Sequence, residues 1–268
     1  MKAKQVKKTI IITGSSSGVG LHAAKHLSLR GHQVFGLSRS QPDSNEFTTI
    51  ITDITDKKQV DAAITEVMKH TNTIDVLINN AGMGMVGAVE DASADEIGRL
   101  FSLNLVGTVH MISTVLPHMR SKKKGTIINI SSIGSEMGLP FRGFYSASKA
   151  AVDKMTEALR YEIAPWNIMA TVVHLGDINT EIAKSRVRSN VSSVYRSIFD
   201  QVYEGMNQHV SNGTDPEEVA RYLEQIILKP TLKGHYYFGK IGQRLAVPLK
   251  HLLPQSLFES LMKKYSKT

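Results

Sequence analysis

Tyr145 and Lys149 stand four residues apart in Gly143-Phe144-Tyr145-Ser146-Ala147-Ser148-Lys149-Ala150-Ala151-Val152, a stretch that reads as helix. At that spacing both side chains lie on one helix face, a turn apart. A phenol, with an ordinary pKa of about 10, is a poor base near neutrality. An ammonium beside it favours the phenolate, so the pair can take up and return a proton. The same spacing occurs on any solvated helix face. The pair therefore carries chemistry only if other segments bring it a cofactor and a pocket.

A cofactor segment stands near the N-terminus. The β-branched run Thr9-Ile10-Ile11-Ile12 suits a strand buried on both faces. It leads into Thr13-Gly14-Ser15-Ser16-Ser17-Gly18-Val19-Gly20 and then a helical pattern from Leu21 to Leu29. In a strand–turn–helix context, Gly14 allows the tight turn and Gly18 lets the backbone approach a pyrophosphate. Gly20 lets helix and strand pack closely, with Ser16, Ser17 and Val19 around the phosphate position. An ordinary βα turn would use the same glycines. The next strand, Gln33 to Leu37, ends at Ser38-Arg39. Dinucleotide folds that take NAD place an acid there for the ribose; a hydroxyl followed by a guanidinium suits the 2′-phosphate of NADP. NADP(H) is thus the expected cofactor, with NAD(H) the alternative.

The other elements position these groups. A third strand, Phe47 to Thr52, ends at Asp53-Ile54, where an acid can reach the adenine amino edge and Ile54 can pack on the ring. After a helix from about Asp56 to His70 and a strand from Ile74 to Ile78 comes Asn79-Asn80-Ala81-Gly82, small residues and amides that admit a cofactor or simply make a polar turn. Ser93-Ala94-Asp95-Glu96 is a capping box opening a helix to about Met119. Within it Asn104 is an amide in an apolar stretch, which a structural or a catalytic role would satisfy equally. Strand Gly125 to Ile130 ends at Ser131-Ser132, at the edge where doubly wound sheets bind ligands. The Tyr145 helix runs to about Ala164, and Ile168 to His174 is a sixth strand. Asp177 to Gly213 reads as broken helical segments with the composition of a lid. Asp215-Pro216 caps a helix to about Leu228, and His235 to Phe238 reads as an edge strand.

Composition narrows the function classes. The chain has 268 residues, 41% hydrophobic and 21% charged, and no cysteine, which excludes disulfides, Cys-ligated zinc and thiol catalysis. No metal-ligating set is read. The absence of cysteine fits a reducing, cytoplasmic setting. Lys and Arg exceed Asp and Glu by 8. Part of that excess is terminal (Lys2, Lys4, Lys7, Lys8, Lys263, Lys264 and Lys267), so a nucleic-acid partner is not expected. The N-terminal apolar run is too short for a signal peptide, and no transmembrane helix is expected.

Alternating strands and helices predict an α/β fold, a single Rossmann-type doubly wound parallel sheet of about seven strands flanked by helices, spanning residues 1–268. A substrate lid is expected over about 178–214 and a C-terminal tail over about 241–268. With Thr13-Gly14-x-x-x-Gly18-x-Gly20, Asn79-Asn80-Ala81-Gly82, Asn104, Ser132 and Tyr145-x-x-x-Lys149 in this order, residues 6 to 180 resemble the short-chain dehydrogenase/reductase family, in its short-subunit branch. The resemblance implies hydride transfer between a nicotinamide and a carbonyl or secondary alcohol. It implies that Tyr145 exchanges the proton and that Lys149 lowers the tyrosine pKa and holds the nicotinamide ribose. Ser132 would bind the substrate oxygen, and Asn104 would keep a water in a relay behind Lys149. Ile178 and Thr180 match the segment that holds the carboxamide. There the family usually shows Pro-Gly-x-Val-x-Thr, and Leu175-Gly176-Asp177-Ile178-Asn179-Thr180 lacks the proline, which puts the rigidity of the turn in question.

Pocket walls are expected from Met83, Met85, Val86, Met137, Leu139, Phe141, Leu175 and Ile182, a set that suits a lipophilic carbonyl or alcohol of steroid, retinoid or fatty-chain type. The alternatives are an NAD(H)-linked dehydrogenase of a small polar alcohol and a catalytically weak NADPH-binding regulator. The family implies a homodimer or homotetramer. For the amphipathic tail a packing role is favoured over contact with a membrane surface.

Overall fold

Each central strand divides its apolar residues between two faces, as the two-residue period of a strand requires. Ile10 and Ile12 of β1 (Thr9–Thr13) enter one core cluster and Ile11 the other. Val76 and Ile78 of β4 (Val76–Asn79) likewise oppose Leu77. Strands buried on both faces need helices on both sides, and the chain supplies them. The computed structural model describes residues 7–180 and 186–266. It contains a seven-stranded parallel sheet. Besides β1 and β4, its strands are β2 (Gln33–Ser38), β3 (Thr48–Ile51), β6 (Gly125–Ser132), β7 (Ile168–Leu175) and β9 (His235–Phe238), in the order β3-β2-β1-β4-β6-β7-β9. The doubly wound sheet expected from the sequence is therefore present.

One face is covered by α1 (Gly18–Leu29) and α7 (Pro216–Ile227), which bury Leu27, Val219, Leu223 and Ile226. The other carries α2 (Lys57–His70), α4 (Thr108–Lys122) and α5 (Gly143–Ile163). The Ser93–Glu96 capping box opens α3 (Ala94–Phe101), as read. The helix expected to run on to Met119 is interrupted, however, by a π-helical turn at Ser102–Gly107. Taken as one run, Ala94–Lys122 is by length and composition alone long and apolar enough to cross a membrane, a test that a helix packed on a core passes as well. Its inner face is spent on the sheet through Met111, Val115 and Met119, and Leu100 is buried as well.

The larger departure lies in residues 177–213. Much of the supposed broken lid is one continuous helix, α6 (Ser193–Ser211), which buries Phe199, Val202, Met206 and Val210. A pair of two-residue strands, β5 (Met85–Val86) and β8 (Val187–Arg188), ties this region to the loop after β4. The tail forms α8 (Ile241–Leu252) and α9 (Gln255–Ser266). Val247, Ala246, Phe258 and Met262 pack on Ile133 and Met137, so the tail does close over the sheet edge.

Candidate active site

The carboxyl ends of the strands open into a cleft of about 1360 Å³ that runs from the Gly14 turn to the tail. At its nucleotide end, Gly14 and Gly18 have φ of +68° and +53°, the left-handed region that favours glycine. The turn is braced from β4. Thr13 Oγ1 accepts the backbone N–H groups of Asn80 and Ala81, both at 3.0 Å. Asn80 Nδ2 donates to the carbonyls of Thr13 at 3.0 Å and Gly14 at 3.3 Å. Asn80 therefore clamps two loops together. Gly20 stands behind the cleft wall, where a Cβ would meet the Gly14 carbonyl oxygen at 2.2 Å. Ser16, Ser17, Gly18 and Val19 line the cleft at the start of α1. Ser17 makes no side-chain cap there, and the first turn holds no acid. Uncapped N–H groups at a positive helix end suit a pyrophosphate, so the residues present fit a dinucleotide.

At the adenosine end the picture is mixed. Ser38 is buried and donates its hydroxyl to the carbonyl of Ser40 at 2.8 Å, so it is not free to bind a phosphate without breaking that bond. Arg39 is exposed, lines the cleft and makes no ion pair among the described residues. Asp53 accepts from the Thr55 backbone at 2.9 Å and hydroxyl at 2.7 Å. Ile54 lines the cleft beside Asp53 and packs its side chain on Gly107, where a Cβ would stand 2.8 Å from Cδ1.

Ser132, at the end of β6, and Tyr145, on α5, line the cleft together, and the serine hydroxyl, which accepts the Gly134 N–H at 3.0 Å, lies near enough to act on the phenol. Desolvation in the cleft raises the Tyr145 pKa above the ordinary phenol value, opposed by the Ser132 hydroxyl and by the charges of Arg142 and Arg186. This differs from the expectation that Lys149 acidifies the phenol. The Lys149 ammonium turns instead to the carbonyl of Ile130, at 2.9 Å. Lys149 is only 6% exposed, and burial brings its pKa down to about 8 against the pull of Asp153. Asn104 lies behind the cleft wall. Its Oδ1 accepts from Met83 N at 2.9 Å, and its Nδ2 donates to Met83 O and to Ser148 Oγ, each at 3.0 Å. That side chain is thus occupied as a brace. Gly82 fits between it and Lys149, since a Cβ there would stand 3.2 Å from Asn104 Oδ1 and 3.3 Å from Lys149 Nζ.

The turn without proline is held by other means. Asn179 N donates to Thr214 O at 2.9 Å, Thr214 N to Asp177 O at 2.9 Å, and Asp177 N to Gln243 Oε1 of α8 at 3.2 Å. Thr180 stands across the cleft from Gly18, while Ile178 contributes its side chain to the core. Met83, Met85, Val86, Met137, Leu139 and Leu175 line the cleft. Phe141 does not; it packs edge-on against Phe199 at 5.3 Å. Ile182 lies outside the described residues.

Sequence reasoning missed Arg142, Arg186 and the cover from α8 and α9 (Leu249, Phe258, Leu261, Met262). Only Arg142, three residues before Tyr145, carried a spacing signal. Away from the cleft, Glu136, His174 and His235 bring ligand-type atoms within 4.8 Å of one another, the two rings hydrogen-bonded at 2.9 Å.

A family model described as short chain dehydrogenase matches residues 8–190. The chain is 36% identical over 255 residues to a 3-ketodihydrosphingosine reductase of Bacteroides thetaiotaomicron, covering 93% of this chain and 94% of that protein. A short-chain dehydrogenase from Streptomyces avermitilis superposes with a TM-score of 0.81 at 26% identity, covering 98% and 97% of the two chains. A relative from Burkholderia phymatum, solved in complex with NAD, superposes at 0.80 with 21% identity, over 92% and 93%. The cleft at the strand ends, its glycine turn and its Ser132–Tyr145–Lys149 set therefore sit in a member of the short-chain dehydrogenase/reductase family of oxidoreductases.

Proposed function

We propose that this protein uses NADP(H) to reduce a ketone attached to an apolar chain. The observation that carries the reading is Ser132 and Tyr145 on one cleft wall, the phenol one turn from the buried Lys149, in the cleft that begins at the uncapped end of α1. When bound, the nicotinamide supplies the hydride that goes to the carbonyl carbon. Ser132 directs its hydroxyl at the carbonyl oxygen as negative charge develops there, and Tyr145 delivers the proton that completes the alcohol. Burial keeps the phenol protonated through neutrality, the form a reductase needs. Lys149 holds positive charge beneath the site and is placed to hold the nicotinamide ribose, at the cost of its Ile130 contact. Gly14, Ser16, Ser17, Gly18 and Val19 take the pyrophosphate, and Thr180 and the Ile178 backbone the carboxamide end.

The exposed guanidinium of Arg39 at the cleft, without an ion pair among the described residues, supports NADP(H), and the name of the Bacteroides relative supports a ketone. The methionines at Met83, Met85 and Met137, with the apolar cover from α8 and α9, support a lipophilic chain. Initial rates with NADPH and NADH over a panel of aliphatic ketones test this. NADPH should be preferred, and Arg39→Gln should cut that preference by roughly 10-fold or more, the worth of one charge-assisted contact. Equal use of the two cofactors by the native protein would remove the NADP assignment.

A further inference from the structure

Two arginines share the substrate side of the cleft with Tyr145. Arg142 immediately precedes α5, one turn before the phenol, and Arg186 precedes β8. The stem of Arg186 lies over Gly84, where a Cβ would meet its Cγ at 2.8 Å, and its Nη1 donates to Asn207 Oδ1 of α6 at 3.0 Å. Among the described residues neither guanidinium has a carboxylate within ion-pair distance, and the buried Nε of Arg142 has no hydrogen-bond partner. Asp177, the acid that acts on Arg186 and Tyr145 through space, is engaged with Gln243. The two like charges repel. Together with burial, this holds Arg186 below the ordinary arginine value.

Such a pair is costly unless something anionic lies between its members. A guanidinium offers planar, paired donors that match a carboxylate or a phosphate. We infer that Arg142 and Arg186 form an anion subsite for the substrate, so that the cleft takes an amphiphilic ketone with a carboxylate or phosphate near its carbonyl and an apolar chain running beneath α8 and α9. The location argues for substrate over cofactor, because the phosphate-binding turn of Gly14 and Gly18 lies at the other end of the cleft. The subsite also suits reduction. Both cations favour the phenolate of Tyr145, and an anion between them relieves that pull and leaves the phenol holding its proton.

The inference deepens the ketone-reductase reading, and a binding measurement separates the two. Calorimetric titration of the NADPH-loaded protein with octanoate, octyl phosphate and octanol reads the subsite without turnover. One or both anions should bind at least about 10-fold more tightly than octanol, and the tighter of them identifies the anion. Arg142→Gln and Arg186→Gln should each erase most of that difference, Arg142→Lys should restore part of it, and the NADPH affinity of all three should stay within about 3-fold of native. Octanol binding as tightly as the anions would overturn the subsite, as would either Gln variant losing NADPH and anion affinity alike. Anion binding without reduction of any ketone would instead count against the catalytic reading and leave the subsite standing.

Discussion

The nucleotide side and the substrate side of the cleft satisfy their polar groups in opposite ways. Around the glycine turn the side chains that set the backbone are closed on the protein itself, and the N–H groups at the start of α1 stay open to a ligand. Thr13 and Asn80 lock β1 to β4, and Asn104 locks the π turn to the Met83 backbone. On the substrate side, Arg142 and Arg186 have no carboxylate partner among the described residues, and the apolar wall is built of methionine and leucine from separate elements. Closed networks over-determine backbone positions, which suits a ligand that is the same in every turnover. Open charges and adaptable apolar walls suit the ligand that differs among relatives.

The comparison can be broken most forcefully at Lys149, which is structural by burial and catalytic by position. Its pKa falls from the ordinary 10.5 to about 8, so the fold disfavours its proton where the unfolded chain keeps it. Stability should therefore rise with pH between about 8 and 10.5, and the cost should be complete below 8, on the order of 3 kcal/mol. Lys149→Met should raise the melting temperature at pH 7, by less as pH climbs past 8, while turnover drops by about 100- to 10,000-fold. Melts across pH beside assays at pH 7 check both halves. A variant no more stable than native would show that the Ile130 bond and Asp153 already offset the burial.

Gly20 sharpens the closed side. An alanine there would drive its Cβ to 2.2 Å from the Gly14 carbonyl oxygen and 2.4 Å from Asn80 Nδ2. Gly20→Ala should cost about 1–3 kcal/mol and weaken NADPH binding, because the atoms in the way are the clamp itself. The smallest effect belongs to its control. Gly98 on the exposed face of α3 has nothing within 4 Å, so Gly98→Ala should stabilise by about 0.5–1 kcal/mol and leave NADPH binding alone. Denaturant titration of the two variants would measure the contrast, and equal losses would show that Gly20 is not specially crowded.

What could be read from the chain follows the same division. Strands buried on both faces, the Ser93–Glu96 capping box and the His235–Phe238 edge strand were legible because their signals are local. So was the Tyr145 helix. The continuity of α6 was not: its buried residues Phe199, Val202, Met206 and Val210 keep helical spacing, but the Ser, Arg and Asn around them, Ser193, Arg196, Ser197 and Asn207, read as loop. The π turn was hidden because it coincides with Asn104 bonding to the distant Met83, which no local pattern encodes. Ser38 was legible as to place and not as to direction, since its hydroxyl answers to the Ser40 carbonyl, which only the folded turn presents. Arg142 and Arg186 meet only when α5 and β8 do.

Tyr145 is the proton donor of the proposed reaction, and Tyr145→Phe tests that most directly because it deletes one oxygen from a half-buried ring. NADPH oxidation with the best ketone of the panel, measured beside NADPH affinity, should show native cofactor binding and a loss of turnover of at least about 100-fold. Turnover within a few-fold of native would place the proton on another group and contradict the mechanism.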